Sequence, residues 1–415
     1  MTAQRRPVVV IGAGIVGVCC ASYLQRYGHD VTLLEREAPG EGTSKGNAGA
    51  LSPGSCVPLA MPGVFRKIPG WLLDPDGPLT IRPNYFPQAF GWLMRFALSA
   101  RPERVAQIAD GLRALHRHVF ECYEPLVKHA DCADIIRRTG TLVVYQSESA
   151  FLGGQREWQL RKERGAYVQD VSGARLREIE PALSPAYTHG MLLPDHGYAA
   201  NPYRLVQALA ARFVADGGRI ERASVRELRS ANSGPVTVVS EEGAIEADRV
   251  VIAAGAWSGA LTASLGLHLP LETQRGYHVT LTNPGIEPRV PVSSSEGKFY
   301  ATPMEGGLRV AGTVEFAGLK APQDYRRARR LLAQVKSLYP AVDVANFTEW
   351  MGHRPCMPDS LPVIGPAPRH PGVLLAFGHG HNGMTSGPVT GRLIADMVAG
   401  RKPFIDPSPY AADRF

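Results

Sequence analysis

The sequence predicts an α/β protein in which a discontinuous nucleotide-binding domain of the Rossmann type accompanies a second, α+β domain built on an antiparallel sheet. Three observations predict this fold class: a strand, glycine-rich turn, helix and strand across residues 8–35, an alternating strand-rich stretch across residues 271–316, and a strand, glycine cluster and helix across residues 373–399. We assign residues 1–60, 195–265 and 350–415 to the nucleotide-binding domain. Residues 61–194 and 266–349 then form a substrate-binding or cap domain.

The first unit has the spacing of a dinucleotide-binding turn. A run of β-branched residues is followed at once by the sequence GAGIVG and an apolar helix. Gly12 permits the turn, Gly14 lets the backbone approach a pyrophosphate, and Gly17 lets the helix pack against the strand. Ile15 and Val16 open the helix, whose free N–H groups and partial positive charge favour phosphate.

The second strand of this unit ends in an acidic residue, Glu35. A carboxylate at that point can accept both hydroxyl groups of an adenosine ribose, and it disfavours a 2′-phosphate. We therefore expect a dinucleotide other than NADP. A glycine-rich turn without a ligand is the alternative, and the full strand, glycine, helix, strand and acid pattern argues against it.

The overall amino-acid composition is that of a globular protein, with 44% hydrophobic and 20% charged residues. At 415 residues the chain is too long for one small core. The net charge of +7 suits anionic substrates and, more weakly, an anionic membrane surface. The basic cluster at residues 326–330 fits the solvated face of a helix better than a nucleic-acid contact, so no nucleic-acid partner is expected.

The six cysteines include no CxxC pair, so neither an iron–sulfur cluster nor any other metal site is expected. This usage is typical of a reducing compartment. The first apolar run is the nucleotide-binding unit itself, and so it is neither a signal peptide nor a membrane span. We expect a cytoplasmic protein that is at most peripheral on the inner face of a membrane.

The middle of the chain predicts helices across residues 102–129, 150–164, 201–216 and 324–339, with strands across residues 140–145, 219–225, 236–239 and 249–254. The strands after residue 218 can rejoin the nucleotide sheet, and the last helix should cover residues 386–399. Residues 59–98 are rich in aromatic residues: Phe65, Trp71, Tyr85, Phe86, Phe90, Trp92 and Phe96. Core packing is the favoured interpretation of these residues, and a cap or an apolar docking surface for a membrane or partner is the alternative.

Five stretches carry a resemblance that spans residues 7–415: GAGIVG from Gly12, TSKGNAGALSPG from Thr43, DRVVIAAGAWS from Asp248, GHRPCMPDSLPVIG from Gly352, and GHGHNGMTSGPVTGRLIADMVAG from Gly378. Together they resemble the D-amino acid oxidase/dehydrogenase superfamily of FAD-dependent amine oxidoreductases, which includes glycine oxidase and sarcosine oxidase. The NAG-containing loop and the GHGHNG ending are most similar to the bacterial D-amino acid dehydrogenase branch, including enzymes that act on D-proline or cis-4-hydroxy-D-proline.

The resemblance implies non-covalent FAD. Residues 43–48 would face its pyrophosphate, ribityl chain and ring edge, and residues 378–385 would aim a helix N-terminus at the N1–C2=O edge of the flavin. Lys45 departs from the family pattern; it could tune the flavin or attract a carboxylate, but a solvated side chain is the favoured interpretation. The implied cofactor-binding residues are Gly12, Gly14, Ile15, Val16, Gly17, Glu35, Arg36, Thr43, Ser44, Asn47, Ala48, Gly49, Leu51, Val225, Ala254, Gly255, Trp257, Gly378, Gly380, Asn382, Gly383, Met384 and Thr385.

The resemblance also implies the catalytic residues. The arginine of the G-x-R-P motif, Arg354, would hold a substrate carboxylate bidentately, with a structural salt bridge as the alternative. Tyr277 and Tyr300 would line the pocket, and sheet packing is the alternative for both. His381 would lie near the ring or the substrate, and a structural histidine with satisfied hydrogen bonds is the alternative. Arg275 is two residues before Tyr277, on the same strand face, and could be a second anion anchor.

The implied reaction is the oxidative deamination of a D-amino or D-imino acid, with D-proline and cis-4-hydroxy-D-proline types favoured. A hydride would pass from Cα to flavin N5, giving an imine or a 2-oxo acid, and the electron acceptor (a quinone, another carrier or O₂) stays open. One alternative is a glycine or sarcosine oxidase that uses O₂. Another is an accessory flavoprotein subunit of a larger dehydrogenase, and the last is an NAD-dependent dehydrogenase.

Overall fold

The computed structural model of the protein describes residues 7–63, 70, 77, 79–231 and 234–415. Its strands, numbered in chain order, are β1 (Val8–Ile11), β2 (Val31–Glu35), β3 (Ala50–Leu51), β4 (Leu79–Ile81), β5 (Ile136–Arg137), β6 (Thr141–Tyr145), β7 (Gln169–Ser172), β8 (His189–Leu193), β9 (Gly197–Ala199), β10 (Arg219–Arg222), β11 (Val225–Ser230), β12 (Val236–Ser240), β13 (Gly243–Ala247), β14 (Arg249–Ile252), β15 (Glu272–Leu281), β16 (Val292–Ser294), β17 (Phe299–Met304), β18 (Gly307–Phe316), β19 (Phe347–Cys356), β20 (Val363–Ala367) and β21 (His370–Phe377).

The α-helices are α1 (Ile15–Arg26), α2 (Phe86–Ser99), α3 (Pro102–His116), α4 (Val119–His129), α5 (Glu148–Gly153), α6 (Gln155–Glu163), α7 (Ala174–Ile179), α8 (Pro202–Ala215), α9 (Ser258–Ser264), α10 (Arg326–Leu338) and α11 (Gly383–Val398). Short 3₁₀ helices cover Pro83–Tyr85, Ala133–Ile135, Gly255–Trp257, Ser408–Tyr410 and Ala412–Arg414. The mixed α/β architecture with more than one sheet confirms the predicted fold class.

The nucleotide sheet has the strand order β10-β2-β1-β14-β21-β20, and every pair in it is parallel except β20–β21. Strand β1 is buried over its whole length, and β14 and β21 are buried over most of theirs. This is the pattern of parallel strands covered by helices on both faces. The carboxyl ends of β1, β14 and β21 meet at one edge, where ligands bind in such sheets.

Helices α1 and α11 cover this sheet side by side. They approach closely because Gly391 faces the backbone of α1: a Cβ at Gly391 would lie 2.6 Å from the backbone of Cys19. Cys19 and Cys20 are fully buried and carry free thiols, so the expectation that they are packing residues is confirmed. The contact fixes the position of α11, and with it the start of that helix at Gly383.

The second large sheet has the order β19-β15-β18-β17-β16-β6-β8-β7, and β4 joins it beside β18. Its pairs are antiparallel apart from β16–β6 and β4–β18. Helix α10 packs on one face, where Leu331 and Val335 meet Val279 and Val310 in a buried cluster. The other face carries residues 43–49 of the nucleotide-binding segment.

Several predicted elements differ from the structure. The predicted helix across residues 102–129 is two helices, because the chain bends at His118 and thereby keeps the apolar sides of α3 and α4 on one core. The predicted helix across residues 150–164 is interrupted at Gly154, a weak helix former. The predicted strand across residues 219–225 ends at Arg222, and β12 forms a local antiparallel sheet with β11 and β13 instead of rejoining the nucleotide sheet. Helix α11 begins three residues before the predicted residue 386.

The division into two domains stays a prediction. Strand β19 crosses the boundary expected at residue 350, since it pairs with β15 along its whole length. Helices α3 and α4 were expected in the second domain, but they share a core cluster with α1 and α11.

The aromatic stretch is divided between core and surface. Trp92 is buried, whereas Phe86 and Phe90 are exposed, so core packing is wrong for these two. Phe65 and Trp71 lie outside the described residues. Within the described parts of the chain, no helix is both long and apolar enough to cross a bilayer. The same residues contain no group of three or more His, Cys, Asp or Glu side chains placed to hold a metal ion.

Candidate active site

A cavity of about 430 Å³ lies where the carboxyl ends of the nucleotide strands meet. Its volume is in the range of small-molecule and cofactor sites. The structure brings together in its wall these predicted cofactor residues: Gly12, Gly14, Ile15, Val16, Glu35, Arg36, Thr43, Ser44, Asn47, Val225, Ala254, Gly255, Trp257, Gly380, Gly383 and Met384.

The glycines of the first turn are required by close backbone contacts. Gly12 has a φ of 101°, and a Cβ there would lie 2.6 Å from the carbonyl oxygen of Ala253. A Cβ at Gly17 would lie 1.7 Å from the carbonyl oxygen of Gly12. Gly17 is therefore absent from the cavity wall and acts by letting α1 pack against the turn, as its spacing predicts.

Glu35 is held at the end of β2 by backbone N–H groups. Its carboxylate accepts hydrogen bonds from Ala13 N at 2.7 Å and from Arg36 N at 2.9 Å. The Arg36 guanidinium lies 3.9 Å from the ring centroid of Trp257, which also lines the cavity. This arrangement fixes an acidic group and an aromatic surface where the sequence predicts the adenosine part of a dinucleotide.

Residues 43–49 are tied to the second sheet by their own backbone carbonyls. Arg309 donates to the carbonyl oxygens of Lys45 at 3.1 Å and Asn47 at 2.7 Å, and Thr302 donates to that of Ala48 at 2.9 Å. His278 Nδ1 donates to the carbonyl oxygen of Gly46 at 2.9 Å. Arg309 and His278 position this loop, and no sequence pattern identifies either of them.

The side chain of Lys45 is directed to a surface ion pair. Its Nζ lies 2.8 Å from Glu41 and 5.0 Å from the ring centroid of Tyr203. The favoured interpretation of a solvated side chain agrees with this contact, and Lys45 is absent from the residues that line the cavity.

Several other predicted cofactor residues stay outside the cavity wall. Leu51 is fully buried in the core, and the Thr385 hydroxyl donates to the carbonyl oxygen of Ala50 at 3.0 Å. Gly378 packs against Met357, where a Cβ would lie 2.6 Å from the methionine side chain. The remaining residues outside the wall are Ala48, Gly49 and Asn382. These residues shape the loop and the start of α11 rather than the cavity surface.

Arg354 lies on β19, opposite Gln274 of β15. It is next to Pro355, which lines the cavity, but Arg354 itself is absent from the cavity wall. Its Nη1 donates to the carbonyl oxygen of Thr313 at 3.0 Å, and its Nη2 makes a longer contact of 3.5 Å with that of Gly312. Desolvation lowers the pKa of the guanidinium, and Cys356 opposes this shift. Within the described residues Arg354 has no carboxylate partner, so the alternative of a structural salt bridge finds no support.

The backbone around Arg354 is irregular and leaves space for its guanidinium group. The β15–β18 register shifts beside Tyr277, and Thr313 has a φ of 58°. A β-branched residue rarely adopts this conformation, which costs about 1–3 kcal/mol. A Cβ at Gly276 would lie 2.2 Å from Arg354 Cζ. Gly276 and Thr313 are site residues that do not appear among the sequence predictions. A glycine inside a strand signals close approach of another group, and this signal could identify Gly276.

The imidazoles around Arg354 are neutral near pH 7. Desolvation, and second the positive charge of Arg354, lower the pKa of His381, although its side chain is partly open to solvent. Desolvation, with smaller effects of Arg309 and Arg354, lowers the pKa of His278 to about 3. Neither imidazole carries a charge that would balance Arg354, and an anionic ligand group would complete its coordination.

Tyr277 and Arg275 share one face of β15, as predicted, but they do not reach the cavity. The Tyr277 hydroxyl donates to Glu315 at 2.6 Å, and Arg275 contacts Glu315 at 3.4 Å. Arg275 is fully buried and also donates to backbone carbonyls, including that of Gly318 at 3.0 Å. Because this face packs beneath α10, the sheet-packing alternative describes Tyr277, and Arg275 has no free donor set for a second anion.

Tyr300 lies on the other face of the second sheet. Its hydroxyl is 3.2 Å from Thr141 Oγ1, and burial raises its pKa, so the phenol stays protonated. Thr302, two residues further along β17, is on the same face and contacts the loop at Ala48. Tyr300 therefore shares the loop-bearing face of the second sheet, and its place in the pocket stays a prediction.

Comparison with known proteins supports one family over nearly the whole chain. The DAO family model, described as FAD dependent oxidoreductase, matches residues 7–397. A D-amino-acid oxidase of Bradyrhizobium diazoefficiens is 40% identical over 419 residues, with 99% of each chain covered. A D-amino acid dehydrogenase of the same organism is 32% identical over 421 residues, with 98% of each chain covered. The structure of glycine oxidase from Geobacillus kaustophilus superposes with a TM-score of 0.75 at 24% identity, covers all of both chains and supports the fold alone.

Proposed function

The chain belongs to the DAO family of FAD-dependent oxidoreductases, and on that premise we propose that it oxidises a D-amino or D-imino acid at Cα, with D-proline and cis-4-hydroxy-D-proline types favoured. The observation that carries this proposal is Arg354, a cation held by two carbonyl groups with no acidic partner among the described residues. A planar carboxylate is the group that such a guanidinium binds best. The similarity to proteins named D-amino-acid oxidase and D-amino acid dehydrogenase supports the substrate class.

The residues of the cavity fit FAD. Gly12 and Gly14 leave room for a pyrophosphate at the start of α1, and Glu35 offers carboxylate oxygens for a ribose. Gly380, Gly383 and Met384 would line the flavin part. When bound, FAD accepts the hydride that the amino acid releases from Cα.

Arg354 would bind and orient the substrate carboxylate. A guanidinium has five N–H donors, and two of them point to the Gly312 and Thr313 carbonyl oxygens. The remaining donors are available for a bidentate contact. Because the two carbonyl groups fix the plane of the guanidinium, the carboxylate would be held in one orientation and the Cα–H directed consistently.

His381 would contact the substrate amine rather than deprotonate it. Because its pKa is lowered, its imidazole is a weaker base than a free histidine and does not hold the proton of an ammonium group near pH 7. The neutral ring can accept a hydrogen bond from the amine. The substrate therefore has to enter with its amine unprotonated, or lose that proton to solvent, before Cα is oxidised.

Two further groups would shape the site. Helix α11 begins at Gly383 in the cavity wall, so its N-terminal N–H groups favour negative charge there. Tyr300 would form part of the substrate pocket wall as a protonated phenol.

The product depends on the substrate. Oxidation of a cyclic secondary amine leaves a cyclic imine, whereas an acyclic imine hydrolyses to a 2-oxo acid and ammonia.

The proposal is tested by anaerobic reduction of the purified yellow protein. D-proline, cis-4-hydroxy-D-proline, D-alanine, glycine, sarcosine and the L-enantiomers are added one at a time, and the flavin absorbance is followed. We expect fast bleaching by a D-compound. Bleaching by glycine or sarcosine alone would refute the proposed substrate class, and no bleaching of FAD-loaded protein would favour an accessory subunit.

We propose that electrons leave to a carrier other than O₂, as in a dehydrogenase. An oxidase that uses O₂ is the second candidate, and the relative named D-amino-acid oxidase favours it. Oxygen consumption during turnover, with and without an artificial dye, separates the two. Turnover of the isolated chain with the dye but without oxygen uptake supports the dehydrogenase.

We propose a cytoplasmic location on the basis of the cysteines. All six are buried and free, which suits a reducing compartment. Fractionation of cells that express a tagged full chain tests this location. Recovery of the protein in the cytosol or on the inner face of the membrane supports it, and recovery outside the cytoplasm refutes it.

A further inference from the structure

Helix α2 presents an apolar stripe to solvent. Phe86, Phe90, Met94 and Leu98 are 46%, 52%, 48% and 50% exposed. Their spacing of four residues places them along one side of the helix. Among the described residues, four of the nine exposed large hydrophobic side chains belong to this helix, so the exposure is concentrated there rather than scattered over the surface.

The opposite side of α2 is firmly packed. Trp92 Nε1 donates to the carbonyl oxygen of Cys356 at 3.1 Å. The Trp92 ring stacks on Phe96 at 5.3 Å and contacts Phe316 at 5.4 Å between centroids. The helix is therefore seated on the second sheet, and the outward stripe is a fixed feature of the fold.

The charges beside the stripe are basic. Helix α2 contains no acidic residue, and its single charged side chain, Arg95, is exposed. Arg101 and Arg104 follow at the start of α3 and are exposed too, with Glu103 between them. An apolar stripe with basic neighbours is the pattern of a helix that lies in a membrane interface.

We propose that helix α2 docks this protein on the surface of a membrane that contains anionic lipids. The stripe would enter the boundary between headgroups and acyl chains, and the arginines would face the lipid phosphates. A second copy of the chain is a poorer occupant, because a two-fold contact through this stripe would join two surfaces that both carry exposed arginines. The proposal goes beyond the proposed reaction and does not depend on it.

Docking would also place the catalytic part of the chain close to lipid. Trp92 of α2 contacts Cys356, which is two residues after Arg354 on the same strand. An electron acceptor dissolved in the membrane would then approach the protein on the side where α2 meets β19.

The test is co-sedimentation of the FAD-loaded full chain with sucrose-loaded vesicles. The vesicles are phosphatidylcholine alone, or phosphatidylcholine with phosphatidylglycerol. We expect binding to the anionic vesicles that falls as salt is added. The double variant Phe90→Glu/Leu98→Glu should bind them at least about tenfold more weakly, and Arg95→Gln/Arg101→Gln should weaken binding to the anionic vesicles only.

Leu152→Glu is the matched control, because Leu152 is 59% exposed on another helix, α5. It should bind vesicles within about twofold of the unmodified chain, roughly 0.4 kcal/mol. Thermal melting and dye-linked turnover should stay unchanged in all variants, since the substituted side chains are exposed and lie outside the site.

Three outcomes would overturn the proposal. The unmodified chain could fail to bind either vesicle, or Leu152→Glu could lose as much binding as Phe90→Glu/Leu98→Glu. In the third outcome the unmodified chain binds no vesicle but forms a dimer, which Phe90→Glu/Leu98→Glu dissociates. The last outcome would assign the stripe to a second copy of the chain. Because vesicle binding is measured without substrate, its failure is distinguishable from failure of the proposed oxidation, which the anaerobic reduction reports.

Discussion

Replacement of Arg354 by leucine removes the only group that we propose for the substrate carboxylate. The two contacts of a bidentate pair are hydrogen bonds between charged groups, worth about 1.5–3 kcal/mol each. Their loss amounts to about 3–6 kcal/mol, which corresponds to a fall of about two to four orders of magnitude in kcat/KM. Arg354→Lys keeps the charge but loses the planar fork of donors, so its kcat/KM should lie between that of the unmodified enzyme and that of Arg354→Leu.

The assay is dye-linked turnover of each variant, normalised to its bound flavin. Arg354→Leu also leaves the carbonyl oxygens of Gly312 and Thr313 without their donor, so a thermal melt confirms that the variant is folded. The amide of the substrate, which lacks the carboxylate, serves as the second arm of a double-mutant cycle. It should lose little further activity in the leucine variant.

A leucine variant within about threefold of the unmodified enzyme, roughly 0.7 kcal/mol, would refute the assignment of Arg354. So would equal losses for the acid and the amide. In either case Arg354 would act on the fold of β19 and β18, and another group would have to hold the carboxylate.

Three further predictions follow from the packing. Gly276→Ala places a Cβ 2.2 Å from Arg354 Cζ, so it should lower kcat/KM at least about tenfold with normal flavin content. Gly17→Ala places a Cβ 1.7 Å from Gly12 O, so it should yield protein that is unfolded or devoid of flavin absorbance. Burial lowers the pKa of His116 to about 4, so the unfolded chain takes up a proton between pH 6.5 and 4 that the folded chain does not. The unfolding free energy of the unmodified protein should therefore fall as the pH is lowered through this range. In His116→Gln this fall should be smaller by up to about 1.4 kcal/mol per pH unit, as measured by urea titration.

Each of these predictions has a control or a contradicting result. Gly91→Ala, on a helix where a Cβ meets nothing within 4 Å, should leave turnover unchanged and stabilise the fold by about 0.5–1 kcal/mol. A Gly276→Ala enzyme with full activity would show that the guanidinium moves without consequence. A flavin-loaded Gly17→Ala protein would contradict the close contact with Gly12, and an unchanged acid slope in His116→Gln would contradict the burial of a neutral imidazole.

The first nucleotide-binding unit could be predicted because its signals are local. Gly12 and Gly17 are needed by contacts inside one strand, turn and helix, so their spacing carries the information. The signal for helix α11 is also local: the predicted residues 386–399 overlap the observed helix, Gly383–Val398, except for its first three residues and one residue at its end. Arg354 was found through its motif, whose meaning comes from the resemblance rather than from residue spacing.

The predictions that differ from the structure depend on contacts between distant segments. Alternation along β15 correctly places Tyr277 and Arg275 together, but it cannot say which face meets α10 and which meets the loop of residues 43–49. The contact of Gly276 with Arg354 joins two strands that are far apart in the chain. Phe90 is exposed because Trp92 occupies the side of α2 that is buried, and the sequence alone does not specify which side of this aromatic helix is buried.

The most direct test of the central claim is titration of the oxidised holoenzyme with a carboxylate that cannot be oxidised, such as pyrrole-2-carboxylate, followed by flavin absorbance. Such a ligand reports carboxylate binding without turnover. We expect saturable perturbation of the flavin spectrum in the unmodified enzyme and binding at least about a hundredfold weaker, roughly 2.7 kcal/mol, in Arg354→Leu. Equal affinity in the two proteins would contradict the claim that Arg354 holds the substrate carboxylate.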